Sequence, residues 1–337
     1  MIKEKVRELW KLCFDDSEAF TEMYFRLRYN NEVNIAIESG DEVISALQML
    51  PYPMTFCGKQ LRTSYISGAC THPDYRNKGV MTELLSQALT KMLHNEVALS
   101  TLIPAESWLF DYYARMGYAP VFHYSESNVP VQEYPSANVS VKVPATGQEE
   151  EVYQYLNRKM QERPCCIQHT PTDFKVILAD LEISGGKIYT AIHEKRISGM
   201  AIVYQQEDRL QISELFADDK ETEKALLYHI RQDSKNGNVT LITPPAADGN
   251  PRVLGMARIV DAKAVLQIYA ASCPDMEMNI ELTDKVLTAN NGYYYLCKGR
   301  CMFSKERLPE SHLQLTIGEL CEKILLPLKP YMSLMLN

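Results

Sequence analysis

The residues best placed to do chemistry lie in one run: Thr71-His72-Pro73-Asp74-Tyr75-Arg76-Asn77-Lys78-Gly79-Val80-Met81-Thr82-Glu83-Leu84-Leu85. An alternating, β-favouring stretch ends at Thr71. A proline-containing turn follows, then a basic corner carrying glycine, then a helix. Consecutive backbone N–H groups at Asn77, Lys78, Gly79, Val80 and Met81 would converge there, at the positive end of the helix. Gly79 removes the Cβ that would keep a phosphate at a distance. Arg76 and Lys78 add charge. This is an anion site suited to a pyrophosphate, although basic residues also decorate many solvated helix starts.

A second run is Asp111-Tyr112-Tyr113-Ala114-Arg115-Met116-Gly117-Tyr118. The spacing predicts a helix from about Ala105 to Met116 that Gly117 ends. Spacing alone reads Tyr112 and Tyr113 as core aromatics of that helix. A phenol in a site would instead be an uncharged proton donor at neutral pH. His72 reads as a turn residue before Pro73, and Cys70 as a small strand residue. Trp10, Tyr24 and Trp108 read as core, with the lining of a pocket as the other option.

Several elements must hold these residues in place. Two short helices fill residues 1 to 29, the second capped at Asp16-Ser17. Strands are predicted at 33–37, 43–50, 54–56 and 61–71, then helix 79–94, strand 97–103 and helix 105–116. A Pro/Ser/Asn-rich stretch at 130–138 marks a boundary. A similar series follows: helices at 148–162 and 171–182, strands at 187–193, 197–205 and 210–216, helix 220–235 and strand 239–242. Here the strand before the helix runs into Ala217-Asp218-Asp219-Lys220-Glu221, with no glycine-bearing basic corner. The series looks like a structural echo without a ligand. Pro244 to Pro251 reads as a second linker. Beyond it come a strand at 256–260, a helix at 262–270, strands at 276–282, 293–297 and 313–316, and a helix at 317–326. The predicted domains are 1–135, 136–248 and 249–337, and the fold class is α/β (α+β).

Composition bounds the function. The chain has 337 residues, 46% of them apolar and 23% charged, with a formal net charge of -8. That balance opposes nonspecific nucleic-acid binding, which needs a basic face. Nine cysteines are scattered with no zinc-ligand spacing, as expected of reduced thiols in a cytoplasmic protein with no metal site. The charged, amphipathic start at Met1 to Arg7 is unlike a signal peptide. No apolar run approaches the ~20 residues of a membrane span.

With both runs on the page, the sequence resembles the GNAT superfamily of acyl-CoA-dependent N-acyltransferases. Their signature is a strand ending in R/Q-x-x-G-x-G/A at the head of a helix. Here Arg76-Asn77-Lys78-Gly79-Val80-Met81 matches it, with Met81 in place of the small last residue. The order of three domains is similar to the enhanced intracellular survival family: a GNAT domain, a second GNAT-like domain, and a small domain resembling sterol carrier protein. So are Leu9-Trp10-Lys11-Leu12-Cys13-Phe14-Asp15-Asp16-Ser17, Ile280-Glu281-Leu282-Thr283-Asp284 and Leu313-Gln314-Leu315-Thr316-Ile317.

The resemblance implies that Ala69, Cys70 and Thr71 pair by backbone with the pantetheine arm of acetyl-CoA, as an added strand would. It implies that residues 76 to 81 hold the pyrophosphate. Tyr113 matches the tyrosine beside the CoA sulfur, the general acid. The free carboxylate of Asn337 would be the base, since in members of this family the chain end reaches the pocket. The implied reaction is direct transfer of an acetyl group to a primary amine. The implied assembly is a homo-oligomer, with trimer-based hexamers the family habit. The alternative is a CoA- or lipid-binding sensor on the same fold. The acceptor amine is not legible in the sequence.

Overall fold

A computed structural model describes residues 1–131, 138–245 and 251–336. Most of the boundary segments expected at 130–138 and 244–251 lies outside these residues, as does Asn337. The first part of the chain forms α1 (Ile2–Cys13), α2 (Glu18–Leu27), β1 (Asn34–Ser39), β2 (Glu42–Phe56), β3 (Lys59–Thr71), α3 (Val80–His94), β4 (Leu99–Leu102), α4 (Ser107–Arg115) and β5 (Ala119–Asn128). Next come β6 (Ser140–Lys142), α5 (Glu149–Gln161), β7 (Cys165–Ile167), α6 (Pro171–Ile183), β8 (Lys187–His193), β9 (Arg196–Gln205), β10 (Leu210–Ala217), α7 (Lys220–Asp233) and β11 (Val239–Thr243). The last part supplies β12 (Arg252–Ile259), α8 (Ala262–Ser272), β13 (Met278–Thr283), β14 (Gly292–Cys297), β15 (Arg300–Ser304), β16 (Leu313–Thr316) and α9 (Ile317–Leu325). This is the mixed α/β class expected from the sequence. No helix among the described residues is long and apolar enough to cross a membrane.

These elements group into two compact units: residues 1–122 with 253–330, and residues 123–252 with 331–336. In the first unit the sheet runs β1-β2-β3-β4-β12. Neighbours are antiparallel except β3 and β4, which are parallel. α3 packs on one face because Leu84, Leu85, Ala88, Leu89 and Met92 recur at helical spacing and are all buried. They join Leu47, Met49, Ile66, Leu102, Tyr113 and Met256 in one core.

Two features of this sheet escape local reading. β2 is continuous through Pro51 and Pro53, where a break was expected. β1 ends opposite Gln48, so both prolines fall beyond the segment that β1 flanks. The strand expected at 256–260 does not start a separate sheet. As β12 it completes the first one, with Met256 opposite Leu102 and Ile259 opposite Leu99.

Arg258 on β12 is fully buried and holds several elements together. Its guanidinium donates to both Asp284 oxygens at 2.7 and 2.9 Å, to Met116 O at 2.7 Å and to Ile259 O at 2.9 Å. With each of the three nitrogens engaged, this buried charge is tolerated; removing one partner would strand the other. The Met116 contact fixes the end of α4, one turn past Tyr113. The remaining strands form a second sheet, β15-β14-β13-β16, against which α8 and α9 pack.

The second unit has the sheet order β5-β11-β10-β9-β8-β6, in which β10 and β11 are parallel and the other neighbours antiparallel. β10 alternates buried and half-buried residues throughout, the signature of a strand covered mainly on one face. α6 begins with a capping box between Thr170 and Asp173 and has Pro171 in its first turn. Tyr331 to Leu336 belong to this unit. Tyr331 N donates to Cys165 O, and Ile167 N to Tyr331 O, both at 3.0 Å. Leu334 enters the core with Leu156, Phe174 and Phe216.

Candidate active site

The site starts where two parallel strands part. β3 and β4 pair at Thr63–Leu99, Ser64–Ser100 and Tyr65–Thr101, and no further. β3 runs on to Thr71, held on its other edge by β2. The backbone of Ile66 to Thr71 therefore presents one edge to which an extended ligand arm could add as a strand. A bulge sharpens the divergence: Ser67 faces Gln48 and Cys70 faces Ala46, so Gly68 and Ala69 together oppose Leu47. Gly68 has φ +59°, and a Cβ there would come within 2.0 Å of the Trp10 ring. Only glycine fits this close approach. The strand end is pinned by Ser45 Oγ, 2.9 Å from both Cys70 O and Thr71 Oγ1.

The corner follows. Pro73–Tyr75 is a single 3-10 turn. His72 Nδ1 accepts from Asp74 N at 3.2 Å, so His72 acts as the turn residue the sequence suggested. Asn77 (φ 62°) and Gly79 (φ 79°) both adopt the left-handed conformation, Asn being among the few residues that tolerate it. A Cβ on Gly79 would meet nothing within 4 Å, so glycine serves the backbone angle here and not the space. Gly79 is the N-cap of α3 and offers no side-chain cap. The helix makes its first bond from Glu83 N to Gly79 O at 3.0 Å. The N–H groups of Gly79, Val80, Met81 and Thr82 thus have no intrahelical acceptor and lie at the positive end of the helix.

Lys78 Nζ lies 5.3 Å from the Tyr75 ring centroid. Arg76 is turned back toward the strand. Its Nε donates to Thr71 O at 3.1 Å, and its Nη2 is 3.9 Å from Cys13 Sγ. These groups fit the pyrophosphate of CoA by donor chemistry and by charge, and the parted strand above them fits an extended arm.

Tyr113 lies on α4, 8% exposed, in the core that also holds Ile66 and takes Ala69 and Met81 against it. One hydrophobic cluster thus brings together the expected proton donor, the strand end and the first turn of α3. Tyr112 OH, 3.2 Å from Thr82 Oγ1, ties α4 to that same turn. The Tyr113 hydroxyl has no hydrogen-bond partner among the described residues. Burial, followed by the nearby Tyr118 and Tyr112 phenols, holds it well above the ordinary phenol value. Tyr118 OH is instead engaged with Ser100 Oγ at 2.7 Å.

One expectation changes. Trp108 is 59% exposed, not in the core; its Nε1 donates to Glu106 Oε2 at 2.7 Å. Cys70 is a buried residue of β3, as the sequence suggested. Trp10 and Tyr24 are core, their ring centroids 4.5 Å apart. Asn337, the expected base, lies outside the described residues.

Residues 3–121 match the acetyltransferase (GNAT) domain family. No curated protein sequence matches the chain significantly. Among solved structures, a GCN5-related N-acetyltransferase from Anabaena variabilis aligns with TM-score 0.79 and 17% identity, over 98% of this chain and 96% of its own. A conserved protein of unknown function from Enterococcus faecalis, described as a probable N-acyltransferase, aligns with TM-score 0.77 and 17% identity, over 94% and 85%. Eis1 from Mycobacterium abscessus aligns with TM-score 0.73 and 14% identity, over 96% and 87%. At these identities the likeness is one of fold. Residues 3–121 are thus similar to a GNAT acetyltransferase domain, and nearly the whole chain shares the fold of these structures.

Proposed function

We propose that the protein transfers an acetyl group from acetyl-CoA to a primary amine by direct attack of the amine on the thioester. The observation that carries this reading is the parting of β3 from β4 directly above a helix start whose N–H groups are left free. Ala69, Cys70 and Thr71 hold the pantetheine arm, and residues 76 to 81 hold the pyrophosphate. Positioning of the two substrates supplies much of the rate. Tyr113 is the general acid at the departing sulfur. Its raised pKa keeps it protonated, and it is a weaker acid than the thiol being formed, which lies near ~8.5. Its help is therefore an O–H···S bond that tightens as charge grows on sulfur. The Asn337 carboxylate is the base that takes the proton of the amine.

In this reading residues 1–135 are catalytic. Residues 136–248 are a second GNAT-like domain without a CoA corner, and 249–337 resemble sterol carrier protein. The protein is a cytoplasmic homo-oligomer.

The test is thiol release from acetyl-CoA across a panel of polyamines and aminoglycosides. Tyr113→Phe should lower turnover by about 10²-fold, within the range for a lost proton donor. A one-residue extension after Asn337 should lower it similarly. Undiminished rates in both would sink the mechanism. Thermal stabilisation by CoA without transfer to any amine would point to a binding protein instead.

A further inference from the structure

We propose that a cleft at the far end of α3 binds a free α-amino acid whose aromatic ring carries a hydroxyl, at a site separate from the phosphate corner. α3 runs 15 residues from Val80 to His94, so its two ends lie roughly 22 Å apart. β1 covers β2 only as far as Gln48. The next stretch of β2, the neighbouring part of β3 and the last turn of α3 frame an open cleft of about 390 Å³, the size of a site for a small ligand. All of its lining belongs to the first unit.

The floor is Met49 and Met92, 6% and 2% exposed. Thioethers make favourable contacts with aromatic rings. Beside them stands Ser64 on β3, opposite Pro51. It is 3% exposed, and its hydroxyl has no hydrogen-bond partner among the described residues. The hydroxyls next to it are engaged: Thr63 Oγ1 donates to Tyr52 O at 2.7 Å, and Ser100 Oγ is 2.7 Å from Tyr118 OH. A buried hydroxyl left open carries a desolvation cost, which a hydroxyl on a bound ring would relieve.

The rim carries both signs, with Arg62 and Lys91 against Glu32 and Glu96. Lys91 Nζ donates to Glu32 O at 2.9 Å and ties α3 to the turn before β1. His94, also on the rim, donates from Nδ1 to Thr90 O of its own helix at 2.8 Å. Glu96 occupies a costly place. Val97 N donates to Met92 O at 3.0 Å and Glu96 N to Leu93 O at 3.1 Å, so Glu96 is the residue just past the helix cap, left-handed at φ 56°. Glycine is usual there, and a carboxylate is disfavoured at the negative end of a helix. Its pairing with Arg62, Nη1 to Oε2 at 3.5 Å between two largely exposed side chains, offsets little of that. An ammonium at Glu96 and a carboxylate at Arg62 would seat the head group of an α-amino acid on this one pair. The ring then enters over the two methionines and brings its hydroxyl to Ser64. None of this rests on the CoA reading.

The experiment titrates the full chain, without CoA and isotope-labelled at its methionine methyls, with L-tyrosine. Ring-current shifts are expected at Met49 and Met92 and not at Met81, which lies in the first turn of α3. Tyramine lacks the carboxylate and desaminotyrosine lacks the ammonium. Each should bind about tenfold more weakly than L-tyrosine, and L-tyrosine should bind Arg62→Ala and Glu96→Gln more weakly by a similar factor. Ser64→Ala should keep its affinity for L-phenylalanine and lose about fivefold for L-tyrosine. Its melting temperature should not fall, since the hydroxyl removed bonds nothing in the free protein. Unmoved Met49 and Met92 at millimolar L-tyrosine, or shifts confined to Met81, would overturn the site. Tyramine or desaminotyrosine binding as well as L-tyrosine, or undiminished affinity in both rim variants, would overturn the amino-acid head group. Undiminished L-tyrosine affinity in Ser64→Ala would overturn the contact with the ring hydroxyl.

Discussion

The two α/β units share a central pattern and differ at the helix that follows it. In the first, β3 and β4 pair in parallel at three positions and stop. In the second, β10 and β11 do the same, from Leu210–Val239 to Ile212–Leu241. Each longer strand carries a bulge just past that point, at Gly68 and Ala69 in one and at Ser213 in the other. The helix starts are where they diverge. α3 begins at Gly79 with no side-chain cap. α7 begins at Asp219, whose Oδ1 accepts from Thr222 N at 2.8 Å. One helix keeps its orphan donors available; the other engages Thr222 N with its own carboxylate and places negative charge where an anion would sit. The bulges diverge too. Gly68 lies under the Trp10 ring, whereas Glu214 is held bidentately by Arg163, both bonds 2.7 Å, and accepts from Ser333 Oγ. The same scaffold can thus spend its helix start on a ligand or on its own stability.

The largest expected effect tests the stabilised unit. Arg163 packs between the Phe216 and Tyr331 rings at 4.6 and 4.7 Å and pairs with a buried carboxylate. Arg163→Ala should lower unfolding free energy by about 3–5 kcal/mol, read by urea denaturation. A loss below ~1 kcal/mol would mean that Glu214 finds water and that the clasp is looser than drawn. Next, Gly79→Asp gives the first unit the helix start of the second. CoA affinity should fall about a hundredfold, since several charge-assisted bonds are lost. Gly79→Ala serves as the control for backbone strain alone. Equal losses in the two variants would assign the effect to the left-handed angle and not to the carboxylate. The smallest effect is the converse change. Asp219→Ala should cost about 1 kcal/mol of stability and leave CoA affinity untouched; a change in that affinity would break the division of labour.

The helices of the second unit were legible within a residue or two because their ends carry chemical marks: Thr170 with Asp173, Pro171, and Asp219. The turn before α3 and the start of that helix were legible for the same reason, all their parts lying within one short run. What escaped the sequence is pairing at long range. β12 joins β4 across about one hundred and fifty residues with no local sign of its partner. Cys13 reaches Thr71 O, at 3.5 Å, only because α1 packs on β3. β15 was missed because Arg300 to Ser304 is short and only partly buried. Tyr331 to Leu336 pack into the second unit, where Ser333 meets Glu214 and His169, which no pattern near residue 333 announces.

That clasp also orders events during synthesis. Glu214 and Ser333 are separated by 119 positions. At roughly 5–20 residues per second, about 6–24 s pass between their emergence from the ribosome. Throughout that interval the Arg163–Glu214 pair and the cluster around Phe216 lack the segment that covers them. The second unit therefore matures late, and its exposed patch is one that a nascent-chain chaperone would meet before Ser333 does.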